Sequence, residues 1–303
     1  MNRSLFSRRD ILAGMGAATG AVFLRPLKVL ARASADITFG YASISWNGKD
    51  QQAIDDIASL GFKGIQLRSN IMPEWGDKPG ALRDLLKERR LTFVALSSGN
   101  ILIDPAKEAE DQAAHARNAK FVKDAGGLYL QVTDARPKRD IVAADYKRLA
   151  YVMTELGKRT ADIGIPLSYH NHMNSLGENP REVDAIMDAA DPRYVKLELD
   201  TAHYQQGGGD PVKAVEKYAD RLLFLHIKDL MAPFTPPGGE AKPYEFVELG
   251  RGQVDLKNVF AALDRAGYKG WAIIELDRVY GRTPKEAAAI SKQFVETQLK
   301  RKV

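Results

Sequence analysis

Short apolar runs alternate with longer stretches of helical periodicity along residues 36–303. The runs are rich in Val, Ile, Leu and Phe and predict strands, and the apolar spacing between them predicts helices. The predicted strands are 37–45, 64–68, 92–97, 128–132, 166–171, 195–200, 222–228 and 271–276. The predicted helices are 49–60, 79–90, 106–125, 140–163, 180–190, 211–219, 255–266 and 284–301. This alternation is typical of an α/β protein with a parallel sheet.

Several predicted helices end at a glycine that lies a few residues before the next strand, as in DIGIPLSYH and RAGYKGWAIIEL. Glycine commonly caps a helix at this point because it adopts the left-handed conformation without strain. Repeated strand–helix units of this kind predict a single-domain (β/α)8 barrel, whose active site lies at the C-terminal ends of the strands. A doubly wound open sheet is the alternative, but no strand is followed by a GxGxxG phosphate-binding turn.

Polar residues near the ends of the predicted strands repeat at every second position. Residues two apart in a strand share a face, so each polar pair is predicted to point into the barrel mouth while its apolar neighbours pack on the helices. The pairs are Gln66 with Arg68, His170 with His172, Glu198 with Asp200, His226 with Lys228, and Glu275 with Asp277. Imidazoles and carboxylates gathered at one barrel mouth indicate a cation site.

The charge of the chain is concentrated in its first 35 residues. The 303-residue sequence has a formal charge of +5 and a pI of about 9.1. Residues 1–35 hold six Arg or Lys and one Asp, which accounts for the whole excess. The remaining chain is near neutral, so the pI is not evidence for nucleic-acid binding. The sequence has no cysteine, which excludes disulfides, thiolate catalysis and Cys-ligated zinc.

Residues 1–35 resemble a twin-arginine export signal. Arg8 and Arg9 precede an uncharged stretch, 11–24, and Ala33-Ser34-Ala35 offers a cleavage site. The stretch is shorter than the roughly 20 residues of a membrane-spanning helix, so contact with the membrane is expected only during export. We therefore predict a signal peptide at 1–35 and a periplasmic domain at 36–303. A basic terminus with a chance Arg pair is the alternative.

Two predicted connections differ from ordinary loops. Residues 229–254 are much longer than the 2–6 residues typical between strand and helix, and residues 69–80 contain an isolated Trp75. Functional lids and specificity loops have this character. A disordered insertion is the alternative for 229–254.

Four motifs carry a resemblance to a known family: Asp200-Thr-Ala-His203, His226-Ile-Lys-Asp229, Leu249-Gly-Arg-Gly252 and the late Glu275. Together they resemble the xylose-isomerase-like TIM barrels, the sugar phosphate isomerase/epimerase family that includes inosose dehydratase and endonuclease IV. The resemblance covers essentially all of residues 36–303. It implies a divalent cation held by a strand-five Glu, a strand-six Asp, a strand-seven His and a strand-eight Glu.

This chain departs from that pattern in strand five, where His170 stands in place of the family's Glu. The implied ligands are His170, Asp200, His226 and Glu275, and His172 is the alternative to His170. Mixed imidazole and carboxylate ligands suit Mn first, with Co, Fe, Zn or Mg as alternatives. Asp200 and Glu275 can instead be interior ion-pair partners of Lys196 or Lys228.

The resemblance further implies proton removal beside a carbonyl, with Glu275 as a base. His172 and His203 are candidate acids, and Lys228 either polarises a substrate oxygen or pairs with Asp229 or Asp277. His203 can also merely cap its loop, and Arg251 can be a surface residue. His115 is expected on a solvated helix face and is given no role. Candidate substrate contacts are Gln66, Arg68, Trp75, Gln131 and Arg251.

The first functional prediction is a metal-dependent isomerase or epimerase acting on an unphosphorylated sugar or polyol. Because the strand-five carboxylate is absent, a β-eliminating lyase, such as an inosose dehydratase or 3-keto-glycoside lyase, is the alternative. A non-catalytic sugar-binding barrel is the second alternative. The endonuclease branch is disfavoured because it uses more histidines than this chain, which has five in all, can supply. The expected partner is a small carbohydrate, not nucleic acid, and a homo-oligomer is compatible with the sequence.

Overall fold

Eight parallel strands form a closed barrel in a computed structural model, which describes residues 36–303. The described residues contain ten strands, eight in the barrel and two outside it: β1 (Ile37–Ala42), β2 (Gly64–Arg68), β3 (Thr92–Ile101), β4 (Tyr129–Asp134), β5 (Leu167–His170), β6 (Val195–Asp200), β7 (Leu222–Ile227), β8 (Asp229–Met231), β9 (Glu245–Val247) and β10 (Gly270–Ile274). Their order around the barrel is β1-β10-β7-β6-β5-β4-β3-β2, and β8 and β9 form a separate antiparallel hairpin. The predicted (β/α)8 barrel is confirmed.

Helices connect the barrel strands and surround them. They are α1 (Asp50–Ser59), α2 (Met72–Trp75), α3 (Pro79–Glu88), α4 (Glu108–Asp124), α5 (Ala143–Ile163), α6 (Pro180–Ala189), α7 (Thr201–Gln206), α8 (Pro211–Tyr218), α9 (Leu256–Ala266) and α10 (Pro284–Thr297). The predicted glycine caps are confirmed at the ends of α5 and α9, where Gly164 and Gly267 have φ angles of 85° and 67°. Each glycine adopts the left-handed conformation that turns the chain towards the next strand.

Apolar side chains fill two regions, one between the barrel and its helices and one inside the barrel. Leu197 and Leu199 of β6 belong to the outer region, as the alternation along the strand predicts. Inside the barrel, Phe224 stacks on Tyr129 with ring centroids 5.5 Å apart and packs in a cluster with Val94 and Ile273. This inner apolar cluster lies beneath the polar residues at the C-terminal ends of the strands.

The long connection at 229–254 is folded. It contains the β8–β9 hairpin, and the Asp229 carboxylate accepts N–H groups from both of its ends. Asp229 Oδ1 bonds Leu230 N and Val254 N at 2.9 and 3.0 Å, and Oδ2 bonds Gly250 N and Gly252 N at 2.9 and 3.0 Å. One buried carboxylate therefore holds the insertion closed, and the alternative of a disordered insertion is wrong.

The expectation for His115 is also wrong, since this residue of α4 is buried. Its Nδ1 lies 2.6 Å from Ser98 Oγ and its Nε2 lies 3.3 Å from the Asn100 carbonyl oxygen. The ring ties α4 to the end of β3. The polar sequence around His115 did not predict this contact, because its partners Ser98 and Asn100 lie on another element, β3.

The predicted export signal and cleavage site lie outside the described residues and stay a prediction, as does the periplasmic location. No helix among residues 36–303 is long and apolar enough to cross a membrane.

Candidate active site

The C-terminal ends of the barrel strands surround a cavity of about 500 Å³. Its wall includes the predicted substrate contact Gln131 and seven of the ten polar residues predicted from strand parity: Gln66, Arg68, His170, His172, His226, Glu275 and Asp277. A cavity at this end of the strands is where a barrel of this type carries its chemistry.

His226 lies at the centre of a group of ionisable side chains. Its Nδ1 is 3.1 Å from Glu275 Oε2 and 3.7 Å from Asp200 Oδ2. His226 and Asp200 are buried, and neither this Nδ1 nor this Oδ2 has a hydrogen-bond partner. Buried polar atoms are rarely left unpaired, and a divalent cation bound between an imidazole nitrogen and two carboxylate oxygens would satisfy them.

His170 stands beside this group. Its ring meets the ring of His226 edge-on, with centroids 4.7 Å apart, and its buried Nδ1 also has no hydrogen-bond partner. Burial and the nearby charge of His226 lower the pKa of His170 well below its ordinary value. The ring is therefore neutral at neutral pH, which is the form that binds metals. The four residues that the resemblance implies as ligands lie together, and their donor atoms fit a divalent cation.

Hydrogen bonds to the backbone fix the position of Asp200. Asn171 Oδ1 accepts the Asp200 N–H at 2.9 Å, and its Nδ2 donates to the Asp200 carbonyl at 3.3 Å. Asp200 Oδ1 caps helix α7 by accepting the N–H of His203 at 2.8 Å. Only Oδ2 remains free to face a cation. The sequence motif HNH thus includes an asparagine that holds β5 and β6 together at their ends.

Lys228 brings a fixed positive charge to the same carboxylates. Its ammonium is completely buried and lies 2.8 Å from Asp277 Oδ1, 3.1 Å from Glu275 Oε1 and 3.3 Å from His203 Nε2. Asp200 Oδ2 is 3.9 Å away. The interior ion pair between Lys228 and Glu275, an alternative left open by the sequence, is therefore present. It uses one oxygen of Glu275 and leaves Oε2 facing His226.

The charges of these neighbours set the protonation of the site. Burial alone would raise the pKa of Glu275, but the positive charges of His226 and Lys228 outweigh it and hold that pKa at about 2. For His226, burial acts to lower the pKa, but the carboxylates of Glu198 and Glu275 raise it well above its ordinary value. Glu275 is thus ionised at neutral pH, and both its oxygens are engaged by positively charged neighbours.

His172 and His203 lie against each other with ring centroids 3.9 Å apart and ring planes inclined by 40°. His172 is partly exposed in the cavity wall, and its Nδ1 donates to the Met173 carbonyl at 2.6 Å. In the neutral ring its Nε2 therefore carries the lone pair. His203 is completely buried beneath it, and burial and the charge of Lys228 lower the pKa of His203 well below its ordinary value. His203 does not belong to the cavity wall.

The predicted substrate contacts divide into two groups. Gln66, Arg68 and Gln131 line the cavity, and Gln66 Oε1 accepts a hydrogen bond from His226 Nε2. Trp75 lies in α2 and packs on the outer apolar core, away from the cavity wall. Arg251 lines a separate, smaller cavity beside the insertion, 3.9 Å from Glu248. The structure does not bring these last two residues to the main cavity.

Glu198 is the main residue that sequence reasoning missed. It lies completely buried in β6, with Oε1 2.6 Å from His226 Nε2 and 3.7 Å from His170 Nδ1. Strand parity did put Glu198 on the interior face with Asp200. The pattern carried no sign that its carboxylate touches both imidazoles.

Known proteins resemble this chain in sequence. Residues 54–298 match the family model described as xylose isomerase-like TIM barrel. An inosose dehydratase of Lacticaseibacillus casei is 28% identical over 296 residues, covering 87% of this chain and 97% of that protein.

Solved structures share the fold. A crystal structure of the IOLI protein with a zinc atom is 18% identical, with a TM-score of 0.70, covering 86% of this chain and 97% of that one. A D-allulose 3-epimerase from Methylomonas sp. is 20% identical, with a TM-score of 0.70, covering 87% and 98%. Because the family model spans most of the barrel and the motifs lie at its mouth, the chain belongs to the xylose isomerase-like TIM barrel family.

Proposed function

We propose that the protein is a divalent-metal-dependent lyase that eliminates water, or another group β to a carbonyl, from an unphosphorylated keto-polyol or keto-sugar. The inosose dehydratases that align with 87% of the chain support this reaction over the isomerisation put first from the sequence. So does the site itself, since a histidine, His170, occupies the strand-five position where the epimerising members carry a carboxylate.

The proposed ligands are His170, Asp200, His226 and Glu275. The unpartnered Asp200 Oδ2 and His226 Nδ1 support a cation there, as does the contact between Glu275 Oε2 and His226. Two imidazoles and two carboxylates suit Mn, Fe, Co or Zn better than Mg, which prefers oxygen ligands. When bound, the cation supplies positive charge that stabilises negative charge developing on the substrate's carbonyl oxygen.

His172 is the proposed proton-transfer residue, and its geometry is the observation that carries the mechanism. Its Nδ1–H is held by the Met173 carbonyl, so Nε2 is the ring atom available to take a proton in the cavity. Glu275, the base predicted from the sequence, is less suited because Lys228 and His226 engage its two oxygens. The Met173 carbonyl stabilises the imidazolium that forms on proton transfer.

The elimination then needs no second acid. His172 Nε2 removes the proton from the carbon beside the carbonyl, and the C–H electron pair moves into the enolate. Collapse of the enolate breaks the bond to the β-oxygen, which departs as water after receiving the proton that His172 carries. One histidine serves as base and then as acid, and the substrate loses one water overall.

Lys228 and His203 are proposed to support this chemistry without touching substrate. The three ammonium hydrogens of Lys228 have three acceptors, Asp277, Glu275 and His203, so none is left to polarise a substrate oxygen. His203 underlies the ring of His172 and fixes its orientation. Substrate hydroxyls meet Gln66, Gln131 and Arg68 in the cavity wall. The choice of an unphosphorylated substrate rests on the predicted export to the periplasm.

Purified protein with Mn²⁺ tests the proposal when it is incubated with keto-inositols, ketoses, 3-keto-glycosides and a sugar phosphate in deuterated water. We expect NMR to show loss of water or aglycone from an unphosphorylated substrate. Changing His172 to Asn should lower kcat about 10²–10⁴-fold while the bound metal content stays the same. Deuterium uptake with an unchanged formula would instead identify an isomerase. Metal binding without turnover of any compound would favour a binding protein.

A further inference from the structure

A completely buried carboxylate lies beneath the proposed cation site. Glu198 is in the middle of β6, and neither of its oxygens has a hydrogen bond of good geometry. Leaving a carboxylate buried without a partner is costly, because the charge has lost its hydration. A carboxylate in this position therefore needs positive charge nearby when the protein is in its working state.

The nearest groups to Glu198 are the two histidines of the proposed ligand set. Glu198 Oε1 lies 2.6 Å from His226 Nε2 and 3.7 Å from His170 Nδ1. His226 has its other nitrogen, Nδ1, directed at Asp200 and Glu275. Glu198 Oε1 thus faces the inner nitrogen of His226, on the side away from Asp200 and Glu275. Gln66 Oε1 also lies at this nitrogen, so its single N–H is shared between Gln66 and Glu198.

We infer that Glu198 is a positioning residue for the cation site: its carboxylate holds the inner N–H of His226 so that His226 Nδ1 faces the ion, and its charge lies beside the His170 ring. Histidines that bind metals usually donate their second N–H to a carboxylate or carbonyl, which fixes the tautomer and the ring orientation. This inference rests on the metal-dependent function proposed above. Strand parity alone puts Glu198 inside the barrel, but it does not distinguish a positioning residue from an ordinary buried carboxylate.

The geometry separates positioning from direct coordination. Two ligand atoms about 2.1 Å from one ion and at right angles to each other are about 3 Å apart. Glu198 Oε1 and His226 Nε2 are 2.6 Å apart, which is a hydrogen-bond distance and leaves no room for an ion bound by both. Glu198 acts through the imidazoles.

Glu198→Gln is the informative variant, because it keeps the shape of the side chain and removes its charge. Ser168→Ala is the matched control, since Ser168 is a buried polar residue of the neighbouring strand whose hydroxyl bonds the Leu130 carbonyl, away from the imidazoles. Calorimetry with Co²⁺ and Zn²⁺ should give affinities about 10–100-fold weaker for Glu198→Gln and unchanged for Ser168→Ala. The visible spectrum of the Co²⁺-loaded Glu198→Gln protein should also change.

A third variant guards against simple misfolding. Glu198→Asp keeps the charge and should recover part of the affinity, and thermal unfolding in EDTA establishes that each variant is folded. Affinity and Co²⁺ spectrum unchanged in Glu198→Gln would overturn the inference. Loss of all measurable binding in that variant would identify Glu198 as a ligand and also overturn it. Wild-type protein that binds the cation but turns over nothing would contradict the proposed function alone, and the comparison of variants would remain valid.

Discussion

Lys228 is the residue on which the electrostatic balance of the cavity depends. It carries a positive charge in a completely buried position, and its three hydrogens are shared among Asp277, Glu275 and His203. The face of the Phe246 ring lies 4.2 Å from its ammonium and excludes water on that side. The negative charges around it raise the pKa of Lys228 above its ordinary value even though burial acts to lower it.

Replacing Lys228 with Met should destabilise the metal-free protein by about 3–5 kcal/mol, because Glu275 loses its buried partner. Urea unfolding in EDTA measures this loss. The same titration with Mn²⁺ should show a smaller loss, because a cation beside Glu275 supplies the missing positive charge. Exposed Lys257 gives the control, and its change to Met should cost no more than about 0.5 kcal/mol. An equal loss with and without Mn²⁺ would argue against a cation at this position.

The sequence predicted some residues of the site and missed others. Strand parity put His170, Asp200, His226 and Glu275 on interior faces at strand ends, and the resemblance to the family implied that these four are the ligands. Glu198 could not be ranked with them, because its neighbours depend on strand register: it pairs with His170 across β5 and β6, while Asp200 pairs with His226 across β6 and β7. Register in a barrel follows from strand tilt and stagger, which the local pattern does not reveal.

At the scale of elements, the insertion at 229–254 is the part of the barrel mouth with its own internal structure. Phe246 of β9 packs edge-on against His203, with ring centroids 4.7 Å apart, and also covers Lys228. The hairpin therefore packs behind His203, which lies against the proposed proton-transfer residue His172. Its geometry depends on the Asp229 carboxylate, which gathers N–H groups from both ends of the segment.

Gly252 tests this arrangement, because a side chain there would overlap Asp229 Oδ1 and lie 2.5 Å from the Leu230 carbonyl oxygen. We expect Gly252→Ala to destabilise the protein by about 3–5 kcal/mol through overpacking and loss of hydrogen bonds to a charged group. Gly238 of the same insertion has open space around it and a φ of 68°, so Gly238→Ala should cost only about 1–2 kcal/mol. Thermal unfolding and the rate of proteolysis within the insertion measure the difference. Equal effects of the two changes would mean that Asp229 does not hold the segment.

The barrel strands could be predicted because each is a buried apolar run bounded by turn residues. Helices α2 and α7 and the hairpin of β8 and β9 could not, because elements of three to six residues are too short to show a period. Residues 69–80, predicted as a loop, therefore contain the unpredicted helix α2. Trp75 of this helix packs on the core instead of reaching the cavity.

At the scale of the whole molecule, a cation that binds only the folded barrel should stabilise all of it. Free metal at 100 times its Kd adds about 2.7 kcal/mol, which raises Tm by about 5–10 °C for a domain of this size. Thermal unfolding with Mn²⁺, Co²⁺ or Zn²⁺, and then with excess EDTA, measures the shift and its reversal. Asp200→Asn should abolish the shift, whereas Asp84→Asn, on the exposed surface, should preserve it. A shift that survives in Asp200→Asn would place the cation elsewhere.

The pairing of β1 with β10 affects how the protein is completed during synthesis. β1 opens the described chain but pairs along its length with a strand that ends only at Ile274. Three of the proposed ligands leave the ribosome earlier, whereas Glu275 follows β10 directly. The ligand set is therefore complete only once the last seam of the barrel has closed. A cation captured at that moment would join β10 to the three ligand-bearing strands before it, and its uptake would mark the closure of the barrel.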